Sequence, residues 1–238
     1  MTEALATVPP APPAAARVFG DRLPVLEAYA ALLAGTGVER GLLGPREAPR
    51  LWERHLLNCA GLGELLEPGE VVVDLGSGAG LPGLVLAALR PDVTVVLVEP
   101  LLRRATFLTE AVGQLGLRGV VVRRARAEEL AGVLLADVVT ARAVAPLDRL
   151  AGWALPLLHP GGRLLAFKGE RADAELASSG SALRQAGGTA ARVVEVGSAE
   201  LDTLARVVVV ERSDAAVPAP SRAGGAPSRG RAAPRARR

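Results

Sequence analysis

From Pro68 onward, short valine-rich runs alternate along the chain with longer segments rich in alanine and leucine. Short apolar runs predict buried strands, and longer segments with apolar residues at three- and four-residue steps predict helices. The predicted strands span 71–75, 93–98, 119–123, 136–141, 162–167, 192–196 and 206–211. Such alternation is typical of an α/β fold with a mostly parallel sheet and helices on both faces. The segment 197–205 is shorter than the roughly twelve residues of a parallel crossover, so we expect the last strand to run antiparallel.

The chain before Pro68 shows a helical pattern instead. Apolar residues recur at three- and four-residue steps from Arg17 to Ala34, and two glycines then end this predicted helix. A second helix is predicted over 49–66, with one apolar face. That face consists of Trp52, Leu56, Cys59 and Ala60. The two helices together predict an N-terminal helical cap over residues 17–67.

The two ends of the chain differ in composition from the predicted main domain, 68–212. Residues 1–16 are rich in alanine and proline, and we expect a flexible tail there. Residues 213–238 carry six arginines against one aspartate, a net charge of +5, and lack large apolar residues, so we expect a disordered basic tail. A basic arm suits nucleic acid because it neutralises phosphates, although a tail that only aids solubility has the same composition.

Composition limits the other possibilities. Half of the 238 residues are hydrophobic, enough for one full core. One cysteine and two histidines leave no intramolecular disulfide and no pattern for a zinc site. Residues 2–16 show no basic region followed by a long apolar segment, so we expect no secretory signal there. No stretch reaches the roughly 18 apolar residues that span a bilayer. We therefore expect a soluble, cytoplasmic protein with neither a metal nor a membrane partner.

A glycine-rich loop follows the first predicted strand, and an acidic residue, Asp74, precedes it. The loop residues of interest are Gly76, Ser77, Gly78, Gly80 and Leu81. Glycines allow a tight turn and a close approach of a ligand to the backbone. The next helix is predicted to begin near Leu81 and Pro82, since proline is tolerated in a first turn. The loop therefore indicates a site for a nucleotide-type cofactor.

Two cofactor classes compete for this loop. Gly78, Gly80 and Gly83 match the GxGxxG spacing of dinucleotide-binding folds, in which a pyrophosphate rests on the helix N-terminus. Asp74 would repel a pyrophosphate but attract the cationic methionine part of S-adenosylmethionine. The acidic residue therefore favours the sulfonium cofactor, and a glycine-rich turn without a ligand is the third alternative.

Charged residues follow the next four predicted strands. Glu99 lies 19 residues beyond Gly80, where an acidic side chain would accept hydrogen bonds from ribose hydroxyls. After the third strand, the backbone of Ala127 and the side chain of Glu128 are predicted to meet the adenine edge, although Glu128 also suits the first turn of a helix. Arg142 and Lys168, the only lysine, follow the fourth and fifth strands. We expect both cations near the mouth of the cofactor crevice.

Several motifs together resemble one family: the small-subunit ribosomal RNA methyltransferases that methylate N7 of a guanine in 16S rRNA, also called the glucose-inhibited division protein B family. The resemblance covers roughly residues 40–210. It rests on the segments 54–58 (RHLLN), 73–83 (VDLGSGAGLPG), 103–108 (RRATFL), 141–143 (ARA), 160–162 (PGG) and 168–169 (KG). The chain departs from the family at Asn58-Cys59 and at Leu42–Gly44, which bears on the cap and not on the cofactor loop.

The resemblance implies a Rossmann-like, seven-stranded class I S-adenosylmethionine-dependent methyltransferase fold. It also implies S-adenosyl-L-methionine as cofactor and 16S rRNA or the 30S subunit as partner. We expect a monomer, although the resemblance does not give the oligomeric state. Cofactor contacts are implied at Gly76, Leu81, Ala127, Glu128 and Arg142. The acceptor atom, N7 of guanine, comes from the resemblance alone.

The chemistry of that acceptor agrees with the residues present. Guanine N7 has a lone pair and no proton, so attack on a sulfonium methyl requires positioning and no general base. We assign no catalytic base and expect Arg142 and Lys168 to anchor phosphate or cofactor. Lys168 and His55 are candidate RNA contacts, although His55 also fits a packing role. The alternatives are a methyltransferase acting on a small molecule, an NAD-dependent oxidoreductase and an RNA-binding module without activity.

Overall fold

The computed structural model describes residues 8–197 and 204–213. Seven strands form a single sheet in this part of the chain. They are β1 (Val71–Leu75), β2 (Thr94–Val98), β3 (Val120–Arg123), β4 (Ala136–Arg142), β5 (Leu158–Phe167), β6 (Gly188–Val196) and β7 (Ala205–Arg212). Their order across the sheet is β3-β2-β1-β4-β5-β7-β6, and β7 pairs antiparallel with both of its neighbours. The predicted alternation and the antiparallel last strand are confirmed.

Two strands begin earlier than predicted. β5 starts at Leu158 and not at 162, and β6 starts at Gly188 and not at 192. The added residues are mostly exposed, because β6 is an edge strand and the first part of β5 passes a register shift opposite Ala136. Exposed strand residues carry no apolar run, so the hydrophobic pattern did not reveal them.

Helices cover both faces of the sheet. They are α4 (Gly83–Leu89), α5 (Leu102–Gln114), α6 (Ala127–Leu130), α7 (Leu147–Ala154) and α8 (Ala172–Gln185). Alternate residues of a strand point to opposite faces, so Val72 belongs to one core cluster and Val73 to the other. The first cluster joins the sheet to α4, α5 and the cap, and the second joins it to α7 and α8.

The cap consists of α1 (Pro13–Phe19), α2 (Leu23–Leu32) and a continuous helical segment over 45–65 that contains α3 (Asn58–Ala60). The first helix begins at Pro13 with Ala15 buried, four residues before the predicted start at Arg17. Turns of 3-10 type interrupt the helix after α1, and a π turn (Leu33–Gly37) continues it past the predicted end. The predicted apolar face of the second helix is buried, as expected.

Residues 1–7, 198–203 and 214–238, which include most of the predicted basic tail, lie outside the described residues. Among the described helices, none is both long and apolar enough to cross a membrane. The same residues include no group of three or more histidine, cysteine and acidic side chains able to hold a metal ion.

Candidate cofactor and acceptor site

The loop after β1 is held against the end of β2. Gly76, Gly78 and Gly80 have φ angles of 70°, 57° and 99°, a region that residues with a side chain rarely adopt. The backbone N–H groups of Gly76 and Ser77 both donate to the carbonyl of Val98, at 2.9 and 3.1 Å. The glycines therefore permit a turn that brings the loop backbone to the carboxyl edge of the sheet.

Asp74 lies beneath this loop and not in an open cleft. Its side chain is fully buried, and Oδ2 accepts a hydrogen bond of 3.0 Å from the backbone N–H of Gly83. A Cβ at Gly83 would lie 2.6 Å from Asp74 Oδ2, so this contact requires glycine. α4 consequently begins at Gly83, with Pro82 as its N-cap, one residue later than the prediction near Leu81 and Pro82.

Only one of the two carboxyl oxygens of Asp74 has a hydrogen-bond partner in the described residues. Oδ1 is buried without a hydrogen-bond partner in the described part of the chain. Burial raises the pKa of Asp74 to about 7, although the N–H of Gly83 opposes that shift. The structure thus shows Asp74 joining α4 to β1 through this hydrogen bond, and its direct attraction of the cofactor stays a prediction.

Glu99 lies beside the loop at the end of β2. Its side chain is 2% exposed; Oε2 accepts from the N–H of Gly78 and Oε1 from the N–H of Leu101, both at 3.0 Å. Arg104 Nη1 lies 3.8 Å from Oε2. Each carboxylate oxygen has two lone pairs, so acceptor capacity remains for a ligand hydroxyl at the loop.

Ala127 and Glu128 are less closely associated with the loop. Ala127 is buried at the start of α6, and Glu128 is exposed. The neighbouring Glu129 stabilises the start of α6, since its Oε2 accepts a hydrogen bond of 2.9 Å from the N–H of Arg126. Both predicted residues follow β3 at the carboxyl edge of the sheet, but they do not line either cleft described below.

Two clefts open at this edge between the sheet and the cap. The first has a volume of about 380 Å³ and lies against the glycine loop. Its wall consists of Leu42, Leu43, Glu47, Arg54, His55, Gly76, Ser77, Gly78, Ala79, Leu81, Arg104, Arg142 and Ala143. The structure therefore brings together five of the predicted cofactor residues in this cleft, beside His55, the candidate RNA contact. They are Gly76, Ser77, Gly78, Leu81 and Arg142.

The second cleft, of about 570 Å³, lies at the ends of β4, β5 and β7. Its wall consists of Arg54, Asn58, Arg142, Ala143, Val144, Ala145, Pro146, Phe167, Lys168, Gly169, Glu175, Leu204, Ala205 and Arg206. The two clefts share Arg54, Arg142 and Ala143. A ligand in one cleft is thus separated from a ligand in the other by the end of β4.

Arg142 is fixed at this junction by the cap. Its Nη1 donates to Cys59 Sγ at 3.2 Å, and its Nη2 donates to the carbonyl of Arg54 at 2.9 Å. The guanidinium also lies 6.0 Å from the centre of the Phe167 ring, within the range of a cation–π contact. These contacts hold the positive charge of Arg142 between the two clefts.

Both ring nitrogens of His55 have hydrogen-bond partners. Nδ1 lies 3.1 Å from Arg142 Nη2, and Nε2 lies 2.9 Å from Glu47 Oε2. Because a guanidinium can only donate, Nδ1 accepts and Nε2–H donates to Glu47. Burial, followed by the charge of Arg142, lowers the pKa of His55. These contacts support the packing role, and an RNA contact by His55 stays a prediction.

Lys168 is likewise turned toward the protein. Its side chain is 7% exposed, and Nζ lies 2.7 Å from the carbonyl of Ala145 and 2.8 Å from Glu175 Oε2. Lys168 lines the second cleft and not the one at the glycine loop, so its predicted position at the mouth of the cofactor crevice stays a prediction. Its ammonium, however, already has two oxygen partners within the chain.

Sequence reasoning missed several side chains of the site. The hydroxyl of Tyr29 on α2 donates to the carbonyl of Ala79 at 2.8 Å and so joins the cap to the glycine loop. Glu47 and Glu175 orient His55 and Lys168. Tyr29 belongs to an apolar helix face, and the two glutamates lie in helical segments, so no local pattern set them apart.

Comparison with known proteins decides the family. The family model for rRNA small subunit methyltransferase G matches residues 22–203. The chain belongs to this family. A ribosomal RNA small subunit methyltransferase G of Thermobifida fusca is 56% identical over 226 residues, which are 92% of this chain and 95% of the relative. A methyltransferase G of Kineococcus radiotolerans is 61% identical over 77% of this chain and 73% of its own length, and one of Mycolicibacterium smegmatis is 54% identical over 94% and 97%.

Solved structures confirm the fold. A protein from Aquifex aeolicus described as a SAM-dependent methyltransferase matches with a TM-score of 0.52 at 22% identity, over 70% of this chain and 95% of that one. A protein from Pyrococcus horikoshii described as a putative transferase also matches with a TM-score of 0.52, at 16% identity over 65% and 61%. This member of the methyltransferase G family therefore has the class I S-adenosylmethionine-dependent methyltransferase fold predicted from its sequence.

Proposed function

We propose that this protein transfers a methyl group from S-adenosylmethionine to N7 of a guanine in 16S rRNA, acting as a cytoplasmic monomer on the rRNA or the 30S subunit. The observation that carries the proposal is the pair of clefts that meet at Arg142 and Ala143. One cleft suits the methyl donor and the other the acceptor base, so the methyl group would pass at the end of β4.

The residues of the first cleft fit the cofactor. A Cβ on Gly78 would meet nothing closer than the carbonyl of Gly76, at 3.8 Å, so the loop backbone faces open space there. Glu99 is not in the wall of the cleft but is held behind it at the N–H of Gly78, where its carboxylate would accept hydrogen bonds from the ribose hydroxyls. When bound, S-adenosylmethionine supplies a methyl group made electrophilic by its sulfonium charge. The loop backbone and Glu99 would orient the nucleoside.

The second cleft suits an acceptor that loses no proton. The only histidine near the site, His55, lines the first cleft, and Glu175 is paired with Lys168. Neither group is a free base beside the acceptor. Guanine N7 needs none, because its lone pair attacks the methyl carbon directly. The side chain of Phe167 offers a ring face for a base, and the base must be unpaired, since the deep major groove of A-form RNA hides N7.

The cations of the site support an RNA partner. Arg54, Arg142, Lys168 and Arg206 all line the second cleft. All of them except Arg142 pair with a carboxylate of the described residues. Positive charge at its rim would attract RNA phosphates and weaken binding as the salt concentration rises. We place Ala127 and Glu128 at the adenine end of the donor, as the sequence predicted, because they follow β3 next to the Glu99 strand.

The test is methylation of ribosomal RNA by the purified protein. Substrates are naked 16S rRNA and 30S subunits from a strain that lacks its own methyltransferase of this type, with labelled S-adenosylmethionine as donor. We expect label at one guanine, detected as a strand break after borohydride and aniline treatment, which cleaves at N7-methylguanine. Comparison of the two substrates shows whether the protein acts on free rRNA or on the particle.

Other outcomes favour other functions. Binding of S-adenosylmethionine without methylation of either substrate would favour a small-molecule acceptor. Thermal stabilisation by NAD and not by S-adenosylmethionine would favour an oxidoreductase. RNA binding without any response to the methyl donor would favour a binding module.

A further inference from the structure

The turn 143–146 joins β4 to α7, and the backbone conformation of its first residue, Ala143, is unfavourable for a residue with a side chain. Ala143 has φ 55° and is the one non-glycine residue with a positive φ in the described part of the chain. Residues with a Cβ avoid this left-handed region because Cβ crowds the neighbouring carbonyl. Such a conformation persists only when surrounding contacts impose it.

This turn forms the wall between the two clefts. Ala143 lines both of them, and Val144, Ala145 and Pro146 line the second. Val144 also packs on the glycine loop, since a Cβ at Gly76 would lie 2.8 Å from Val144 Cγ2. A shift of the turn would therefore move the boundary between donor and acceptor.

Two side chains from distant elements hold the turn on either side of Pro146. Lys168, after β5, donates from Nζ to the carbonyl of Ala145 at 2.7 Å. Glu175, in the first turn of α8, accepts from the N–H of Leu147 at 3.1 Å. The two side chains also pair with each other at 2.8 Å, and a lysine side chain 7% exposed is partly removed from competing water.

We propose that Lys168 and Glu175 are positioning residues, which clamp the turn 143–146 in its left-handed form and so align the acceptor cleft with the donor cleft. This inference rests on the proposed methyl transfer for its kinetic consequence. This role differs from a direct RNA contact. In the clamp, the ammonium of Lys168 acts on the carbonyl of Ala145 in the turn and not on an RNA phosphate.

The experiment is a double-mutant cycle in the full-length protein. Lys168→Met keeps the apolar volume of the side chain and removes the ammonium. Ala143→Gly lowers the cost of the left-handed backbone, which the clamp otherwise offsets. Glu175→Gln removes one carboxylate charge. Glu170→Gln is its matched control, because Glu170 is exposed in the turn before α8 and its side chain makes no hydrogen bond or ion pair in the described residues.

We expect Lys168→Met to lower kcat roughly tenfold or more, with KM for S-adenosylmethionine changed less than about twofold. Ala143→Gly should raise kcat more in the Lys168→Met protein than in the wild type. The ratio of the two increases should be about five, as the strain of one left-handed residue predicts. Glu175→Gln should lower kcat in the same way, and Glu170→Gln should leave it unchanged. An increase in KM for 30S subunits, with a shallower salt dependence and no rescue by Ala143→Gly, would overturn the proposal in favour of a phosphate contact.

A measurement without substrate keeps the inference separate from the proposed function. Amide hydrogen exchange of a peptide that includes Leu147 should be faster in Lys168→Met and Glu175→Gln than in the wild type and in Glu170→Gln. Unchanged exchange in both variants contradicts the clamp even if no acceptor is methylated. If Lys168→Met does not fold, Glu175→Gln decides by the same two measurements.

Discussion

Replacement of Asp74 by asparagine tests the physical basis of the glycine loop. Asp74 is fully buried, with one oxygen bonded to the N–H of Gly83 and the other without a partner in the described residues. Burial raises its pKa from 3.8 to about 7. The folded protein therefore holds a proton on Asp74 that the unfolded chain releases, in the range from about pH 4 to pH 7.

The sign of the effect follows from this difference. Where the folded state binds more protons than the unfolded state, the free energy of unfolding falls as the pH rises. Each pKa unit corresponds to about 1.4 kcal/mol, so the loss between pH 5 and pH 8 is about 3 kcal/mol. Asparagine has no charge at any pH and does not show this loss.

The assay is urea unfolding of the wild type and Asp74→Asn at several pH values from about 5 to 8. The unfolding free energy of the variant minus that of the wild type should increase by about 3 kcal/mol over this range. Glu99, Tyr29 and Cys59 are the titratable groups that interact with Asp74, and they are present in both proteins, so their own titrations largely cancel. A difference that stays constant with pH would refute the reasoning, because Asp74 would then be ionised in the folded protein.

Three further predictions concern the same loop. Gly83→Ala should lower the free energy of unfolding by about 3 kcal/mol in urea titrations, because the new methyl would overlap Leu97 and displace the bonded carboxyl of Asp74. Tyr29→Phe should lower the free energy of unfolding by about 1 kcal/mol in the same titrations, because the hydrogen bond to the loop is lost. The circular dichroism spectrum should show an unchanged fold. Glu99→Gln should weaken S-adenosylmethionine binding roughly tenfold in calorimetric titration, whereas an equal affinity would remove Glu99 from the ribose site.

The central part of the fold was predictable from the chain. β1 was predicted at its observed bounds, and β2 within one residue, because interior parallel strands are buried on both faces and form continuous valine runs. The edge strand β6 and the start of β5 were predicted too short, since their residues are largely exposed. The start of α1 was missed because small residues such as Ala15 give no amphipathic signal, although the fold buries them.

The candidate site was predictable only where its residues lie at the ends of predicted strands. The glycines and Glu99 follow β1 and β2, Arg142 ends β4, and parallel strands bring their carboxyl ends to one edge. The direction of each side chain was not predictable in this way. Asp74 proved to lie under the loop, and Lys168 proved to face Ala145 and Glu175 within the protein.

By itself, the sequence determined the order of strands and helices, the glycine loop and the family, because each depends on short-range patterns of residue type. Only the tertiary structure decided which cap residues meet the strand ends. Tyr29 bonds to Ala79 across 50 positions, and Arg142 bonds to Cys59 across 83. Such contacts depend on how separate elements pack, and packing joins residues whose local patterns carry no information about one another.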